Sequence, residues 1–300
     1  MKRTISILLL QVVISTLVFA NGKQEPLGSE DNPIVWSFVP SSGSTEIAAG
    51  AKAVAQLIYD KTGLYVEINV ATLYSGVIEA LESDPPSAHM TSLATFAYVM
   101  AADRGVSEAA LVSVRYGSPF YNGQIITTAG SGISKLEDLA GKSFARPDPL
   151  STSGWIIPML SMRAAGVDPD KDLKEVVDAG GHTAVVSAVY SGDVDAGATF
   201  VDARVNIEDD HADVMDKVVV MAVSPNIPND GVQFHPSVPQ ETRDILVDAL
   251  IEIIVTDAGQ AAFKNAYKWN DLARYGDDFY DPFRQVLQAA GLKAEDLIEE

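Results

Sequence analysis

The chain has 300 residues, 47% of them hydrophobic, so it can fill one large domain or two ordinary ones and is not globally disordered. Its 41 acidic and 21 basic side chains give a formal net charge of -20. That charge argues against nucleic acids and anionic membranes as partners, because both are bound through Lys and Arg. No Cys is present, which excludes disulfides, zinc–thiolate sites and thiol nucleophiles.

The N-terminus predicts export. Two basic residues precede an apolar run over 5–19, and Ala20 supplies a small residue for cleavage, an order typical of a secretory signal peptide over 1–20. The alternative is a membrane anchor, but the apolar run is shorter than the roughly 20 residues that a spanning helix needs. We therefore expect a periplasmic or otherwise extracytoplasmic protein.

The segment after the leader predicts a short tether without a lipid. Residues 21–31 are polar and rich in Gly, Pro and acidic side chains. The end of the leader is similar to a lipoprotein leader, but position 21 is Asn. Because lipid is attached to such leaders through Cys, we expect no lipidation on Cys.

Downstream of the tether, patterns typical of strands and of helices alternate along the chain. Apolar runs and two-residue alternation predict strands at 34–39, 65–70, 90–93, 111–115, 124–128, 142–145, 194–199 and 218–223. Helical spacing predicts helices at 47–59, 77–81, 94–102, 136–139, 153–165, 184–190, 245–267 and 282–290. This alternation indicates an α/β fold with mainly parallel sheets, and the length favours two lobes over one large sheet.

The strongest candidate for an anion site is Ser151-Thr152-Ser153-Gly154, which follows a predicted strand and opens a predicted helix. A helix N-terminus offers free N–H groups and a partial positive charge to an anion. Three hydroxyls add further donors, and Gly154 allows a close backbone approach. The pattern alone fits an ordinary capped helix at least as well, since Ser and Thr are preferred N-caps.

Further segments occur along the chain in a characteristic order: Phe38-Val39-Pro40, Lys61-Thr62-Gly63, 74–81, Tyr121 with 133–142, Asp148-Pro149 before the serines, 181–197 and 224–230. In this order they resemble the phosphate/phosphite/phosphonate-binding proteins of bacterial ABC importers, which are type II periplasmic binding proteins. The resemblance covers the chain from about residue 34 to at least residue 230. It implies two lobes, each with a mainly parallel sheet, and a hinge between them.

The resemblance implies a ligand site between these lobes. The hydroxyls and backbone N–H groups of three residues would bind the oxyanion: Ser151, Thr152 and Ser153. Three tyrosines would line the cleft: Tyr74, Tyr98 and Tyr121. Without the resemblance, tyrosines at such positions are as often half-buried core residues.

Three further residues are assigned to the ligand by the same resemblance. His182 would reach the anion from the second lobe, although it could instead cap the helix that follows it. Asp202 and Asp230 would accept hydrogen bonds from a protonated ligand oxygen or pair with a ligand ammonium. Both could also be turn residues, and Asp202 is one methylene shorter than the Glu of phosphonate binders.

The resemblance implies lobe one at 32–123 plus 226–300 and lobe two at 124–225. The implied function is to capture a phosphonate, phosphite or related small oxyanion and deliver it to an ABC permease. We expect a monomer that needs no metal or cofactor. The alternatives are a ligand-sensing receptor of the same fold for another small anionic metabolite, or a hydrolase. A hydrolase is disfavoured, because no G-x-S-x-G elbow and no H-E-x-x-H spacing is present.

Overall fold

The computed structural model describes residues 25–294, so the predicted signal peptide at 1–20 lies outside the described residues. The strands, in chain order, are β1 Ile34–Phe38, β2 Val66–Val70, β3 Met90–Ser92, β4 Glu108–Val114, β5 Phe120–Tyr121, β6 Gly123–Thr128, β7 Ser143–Arg146, β8 Glu175–Asp178, β9 Ala196–Phe200, β10 Val218–Val223, β11 Ile227–Pro228, β12 Gly231–Phe234 and β13 Asp271–Arg274. The α-helices are α1 Ser44–Thr62, α2 Tyr74–Glu82, α3 Thr95–Asp103, α4 Ile157–Ala164, α5 Pro169–Asp172, α6 His182–Ser191, α7 Val214–Lys217, α8 Gln240–Ile254, α9 Asp257–Tyr267 and α10 Asp281–Ala289. None of the helices within this range is long and apolar enough to cross a membrane.

The strands form two separate sheets, which define two α/β lobes. The first sheet has the order β13-β4-β12-β3-β1-β2 and belongs to what we call the six-stranded lobe. The second has the order β10-β6-β9-β7-β8 and belongs to the five-stranded lobe. A short antiparallel pair, β5 with β11, accompanies the passage of the chain between them.

The predicted α/β class holds, but both sheets are mixed rather than mainly parallel. Parallel pairing joins β1 to β2 and β3, and β7 to β8 and β9. Antiparallel pairing joins β12 to β3 and β4, β13 to β4, and β6 to β9 and β10. Helical crossovers such as α1 and α2 produce the parallel pairs. The strands β6 and β12 are the ones that the chain enters after it crosses from the other lobe, and each runs antiparallel to both of its neighbours.

The predicted helical stripe at the start of the chain is confirmed. Helix α1 buries Ile47, Ala51, Val54 and Ile58, the three- and four-residue spacing of one helix face. The helix ends at Gly63, whose φ of 75° permits the left-handed C-terminal turn. It is longer at both ends than the predicted 47–59, because end residues carry little periodic signal.

Part of the predicted tether at 21–31 is packed into the six-stranded lobe. Leu27 contacts the hydrophobic core. The carbonyl of Gly28 accepts a 2.9 Å hydrogen bond from Tyr65 N–H, and Gly28 N–H donates to Asn32 O at 2.8 Å. These backbone bonds place residues 27–32 in a turn that extends the fold ahead of β1. The polar composition of the segment did not predict these bonds.

The two segments that pass between the lobes are bonded to each other. Gly123 N–H donates to Ser224 Oγ at 2.8 Å, and Ser224 N–H donates to Gly123 O at 2.9 Å. Asn122 Nδ2 adds a 2.9 Å bond to Ser224 O. The crossover therefore consists of paired extended chain rather than a loose linker.

Candidate ligand-binding site

The centre of the candidate site is the segment 151–154, here called the serine turn. It follows β7, and Thr152–Ile156 forms a π-helical turn that leads directly into α4. Ser151 caps this turn, with its Oγ accepting a 3.2 Å hydrogen bond from Gly154 N–H. Ser151, Thr152 and Ser153 are all buried. The predicted helix over 153–165 is thus present but starts in a wider turn, which frees backbone N–H groups at its N-terminus.

Two tyrosines lie beside the serine turn. Burial raises the pKa of Tyr74 well above its ordinary value, and the neighbouring Ser151 hydroxyl lowers it. Burial also raises the pKa of Tyr121 to about 12, against a lowering by the Ser153 hydroxyl. Both phenols therefore remain protonated at neutral pH and can act as hydrogen-bond donors. The structure brings these two predicted site residues together with the serine turn.

Backbone donors from the six-stranded lobe also meet this region. Tyr74 N–H, at the start of α2, donates to Asp148 Oδ2 at 3.1 Å. Phe96 N–H, in the first turn of α3, donates to Thr152 Oγ1 at 2.8 Å. The first-turn N–H groups of a helix have no partner within the helix. In each of these two helices, one such N–H group is bonded to a side chain of the five-stranded lobe, Asp148 for α2 and Thr152 for α3.

His182 lies at the N-terminus of α6 and is buried. Its Nδ1 lies 2.9 Å from Thr199 Oγ1, and its ring makes an edge contact with Phe200 at 4.8 Å between centroids. Its backbone N–H donates across the lobes to Ser41 O at 2.9 Å. Burial lowers the pKa of His182 to about 3, so the imidazole is neutral at pH 7. Thr199 belongs to β9, which packs against the π-helical turn.

Tyr98 was predicted to line the cleft, and the structure places its hydroxyl elsewhere. The hydroxyl donates to Asp277 Oδ1 at 2.7 Å and accepts from Ala109 N–H at 3.2 Å. Its ring packs on Tyr280, with 4.4 Å between centroids. The Asp277 carboxylate, from the C-terminal part of the chain, holds the phenol in the interior of the six-stranded lobe. We therefore remove Tyr98 from the candidate site.

The two predicted carboxylates differ in their surroundings. Asp202 is at the surface, with 48% of its side chain exposed, and pairs with Arg204 at 2.6 Å. Asp230 lies just before β12 and pairs with Arg115 at 2.6 Å, with 15% of its side chain exposed. Of the two carboxylates, Asp230 is the one whose charge acts on the pKa of Tyr121, the tyrosine beside the serine turn. Sequence reasoning did not find Arg115, since nothing in the strand pattern of β4 predicts its partner.

Gln124 is a second residue that sequence reasoning missed. It stands opposite Thr199 in the β6–β9 pair, so the two side chains share the face of the sheet on which His182 lies. It is only 2% exposed, and within residues 25–294 neither its Nε2 nor its Oε1 has a hydrogen-bond partner. A buried amide without partners is uncommon in a folded protein and marks a position that a ligand or water can satisfy.

No group of three or more His, Asp and Glu side chains that could hold a metal ion occurs in the described part of the chain. The groups that the structure brings together at this site offer hydrogen bonds. Its donors are the hydroxyls of the serine turn, two protonated phenols, a neutral imidazole and helix N–H groups. Donors of this kind suit a small oxyanion.

Two α/β lobes with mixed sheets and a buried hydroxyl-rich turn between them define a type II periplasmic binding protein. The model of the family described as the periplasmic substrate-binding protein of phosphonate ABC transporters matches residues 36–278. The chain therefore belongs to this family, whose members are transport binding proteins and not enzymes.

Two curated relatives are similar to the chain. A phosphate-import protein PhnD of Mycolicibacterium smegmatis is 29% identical over 177 residues, which cover 56% of this chain and 54% of the relative. The chain thus spans about half the length of that relative. A phosphonates-binding periplasmic protein of Escherichia coli is 25% identical over 231 residues, covering 75% of this chain and 67% of the relative.

Solved structures confirm the predicted fold class. The binding protein component of an ABC phosphonate transporter from Pseudomonas aeruginosa has a TM-score of 0.78 at 22% identity, covering 89% of this chain and 87% of its own. PhnD1 of Prochlorococcus marinus in complex with methylphosphonate has a TM-score of 0.75 at 13% identity, covering 86% and 98%. At sequence identities this low, the structural similarity establishes the fold alone.

Proposed function

We propose that this protein captures a phosphonate, phosphite or related small oxyanion between its lobes and delivers it to an ABC permease. The observation that carries the proposal is the serine turn: three consecutive buried hydroxyl residues at the start of a helix, beside the phenols of Tyr74 and Tyr121. The names of the two curated relatives, a phosphate-import protein and a phosphonates-binding protein, support the same ligand class.

The proposed site binds an anion with neutral donors. Thr152 Oγ1 accepts from Phe96 N–H, so its own proton is available to a ligand oxygen. The 2.9 Å contact between His182 Nδ1 and Thr199 Oγ1 fits either imidazole tautomer. We propose the tautomer in which Nδ1 accepts from Thr199, so that Nε2 carries the ring proton and can donate to the anion. Hydrogen bonds are stronger in a desolvated cleft than in water. A net charge of -20 is therefore compatible with binding a small anion.

Ligand entry in this proposal requires the lobes to separate about the crossover at 122–124 and 224–226. Opening would break hydrogen bonds between the lobes, among them Tyr74 to Asp148, Phe96 to Thr152, and His182 to Ser41. A further one joins Lys268 to Asn206. Closure would bring the α2 and α3 N-termini back onto the serine turn. We further propose that the closed, ligand-bound form is what the permease recognises.

The same proposal covers location, assembly and lobe boundaries. A leader cleaved after Ala20 would release a monomer, without a lipid on Cys, into the periplasm or its equivalent. The family description as periplasmic supports this location. The proposed lobes are 32–123 plus 226–300 and 124–225, divided where the two crossing segments are bonded to each other.

The test is calorimetry with methylphosphonate, phosphite, phosphate and sulfate. The double variant Ser151→Ala, Thr152→Ala should lower affinity for the bound phosphorus ligand at least tenfold. The matched control is Ser161→Ala in α4, because that hydroxyl bonds only to its own helix, at Ile157 O. Circular dichroism checks folding, since loss of an N-cap costs about 1 kcal/mol. Absence of binding to the unaltered protein, or unchanged affinity in the double variant, would contradict the proposal.

A further inference from the structure

A partly buried ion pair borders the candidate site. Nη1 of Arg115 lies 2.6 Å from Oδ1 of Asp230, and Nη2 lies 3.0 Å from Oδ2. Two parallel bonds of this kind are the strong, orienting form of an arginine–carboxylate pair. The side chains are only 20% and 15% exposed. Arg115 follows β4 and Asp230 precedes β12, and these strands are neighbours in one sheet, so the backbone itself holds the pair together.

The guanidinium of Arg115 has no N–H group to spare for a ligand. Its Nε and Nη2 donate to Tyr267 O at 3.3 and 3.2 Å. Nη1 also donates to Asn229 Oδ1 at 2.7 Å. Together with the two bonds to Asp230, these contacts engage all three nitrogens and all five N–H groups of an arginine. The role of Arg115 is therefore to hold and neutralise Asp230, whose Oδ1 also accepts from Ser113 Oγ at 2.8 Å.

The segment that carries Asp230 borders the serine turn. Pro228 O accepts a 2.6 Å hydrogen bond from Thr95 Oγ1, and the next residue, Phe96, donates from its N–H to Thr152 Oγ1 at 2.8 Å. The charges of Asp230 and Arg115 also act on the pKa of Tyr121. In the chain, Tyr121 pairs with Ile227 in the β5–β11 ribbon, just before Asp230. An anion seated on the serine turn would therefore lie near the segment that carries the ion pair.

We propose that Arg115 makes this site select phosphorus oxyanions whose substituent carries no positive charge, and reject aminoalkylphosphonates; this rests on the function proposed above. An unpaired Asp230 would attract a ligand ammonium. Here the guanidinium already cancels the carboxylate's charge and repels a second cation in the same space. Rejection by a repulsive element is a common source of specificity. Asp230 keeps the capacity to accept a hydrogen bond from a neutral ligand hydroxyl or protonated oxygen.

The experiment uses three phosphonates with the same two-carbon skeleton: ethylphosphonate, 2-hydroxyethylphosphonate and 2-aminoethylphosphonate. Calorimetry on the unaltered protein at pH 7 should show ethyl- and hydroxyethylphosphonate binding at least tenfold more tightly than the amino compound. The substituent of 2-hydroxyethylphosphonate is polar and as large as the aminoethyl group but carries no charge, so this compound separates the effect of charge from those of polarity and size. Equal or tighter binding of 2-aminoethylphosphonate would overturn the inference.

Variants then assign the selectivity to Arg115. Arg115→Met frees Asp230, so the ratio of the affinity for 2-aminoethylphosphonate to that for ethylphosphonate should rise at least tenfold. Arg115→Lys keeps the positive charge and should retain the preference of the unaltered protein. The double variant Arg115→Met, Asp230→Asn avoids an unpaired buried carboxylate, and its ratio should lie near one. An unchanged ratio in both Met variants would overturn the role of Arg115. If the unaltered protein bound none of the three phosphonates, phosphite or phosphate, the proposed function itself would fall.

Discussion

The backbone N–H of Tyr74 donates a 3.1 Å hydrogen bond to Oδ2 of Asp148, across the boundary between the two sheets. Oδ1 of the same carboxylate accepts from Leu150 N–H at 2.8 Å. Asp148 is buried, and this burial raises the pKa of its carboxyl. One side chain therefore shapes the approach to the serine turn and fixes the N-terminus of α2 against it.

Replacing Asp148 should destabilise the protein. In Asp148→Ala the N–H groups of Tyr74 and Leu150 lose their acceptor, and leaving buried donors unpaired costs about 1–3 kcal/mol each. We expect the free energy of unfolding, measured in urea at pH 7, to fall by about 2 kcal/mol or more. The control is Asp178→Ala, which removes one carboxylate from a surface pair with Arg146 and should change the value by less than about 0.5 kcal/mol. Equal effects in the two variants would contradict this role for Asp148.

Gln124 leads to a second stability prediction. Its buried amide lacks hydrogen-bond partners among the described residues, so Gln124→Leu, which is similar in size and apolar, removes a desolvation cost of about 1–3 kcal/mol. We expect the ligand-free variant to gain about 1 kcal/mol in urea unfolding. Gln240→Leu is the control, because Gln240 is exposed on α8. A loss of stability in Gln124→Leu would show that water or another group already satisfies the amide.

The local features of the site could be predicted from the sequence. The serine turn follows a strand and opens a helix, and both signals lie within a few residues of it. The sequence does not show why position 154 is glycine. In the structure, a Cβ at Gly154 would come within 2.3 Å of Pro147 Cδ. That contact depends on the shape of the turn.

Features that depend on distant partners could not be predicted. The direction of Tyr98 is decided by Asp277, 179 residues away, and Arg115 and Asp230 are 115 residues apart. Periodicity carries no information on such pairs. The same holds for β13, an edge strand that pairs only with β4 and has only one buried residue, Leu272, too few for a strand pattern.

The buried imidazole of His182 should make stability depend on pH. Its pKa is lowered from 6.5 to about 3 by burial, so below pH 6.5 the unfolded chain binds a proton that the folded protein does not. Stability therefore falls as pH falls from about 6.5 towards 3, by about 1.4 kcal/mol per pH unit. Urea unfolding at pH 7, 6, 5 and 4.5 should show this slope, and it should be shallower in His182→Gln.

Comparing the two slopes isolates His182 from other titrating groups. Burial also lowers the pKa of His89 and His235, so part of the acid destabilisation should persist in His182→Gln. Asp148 acts in the opposite sense, because its pKa is raised and its protonation at low pH favours the folded state. These contributions are common to both proteins and cancel in the difference. Identical slopes in both proteins would mean that the His182 imidazole is hydrated or paired with an acid in solution.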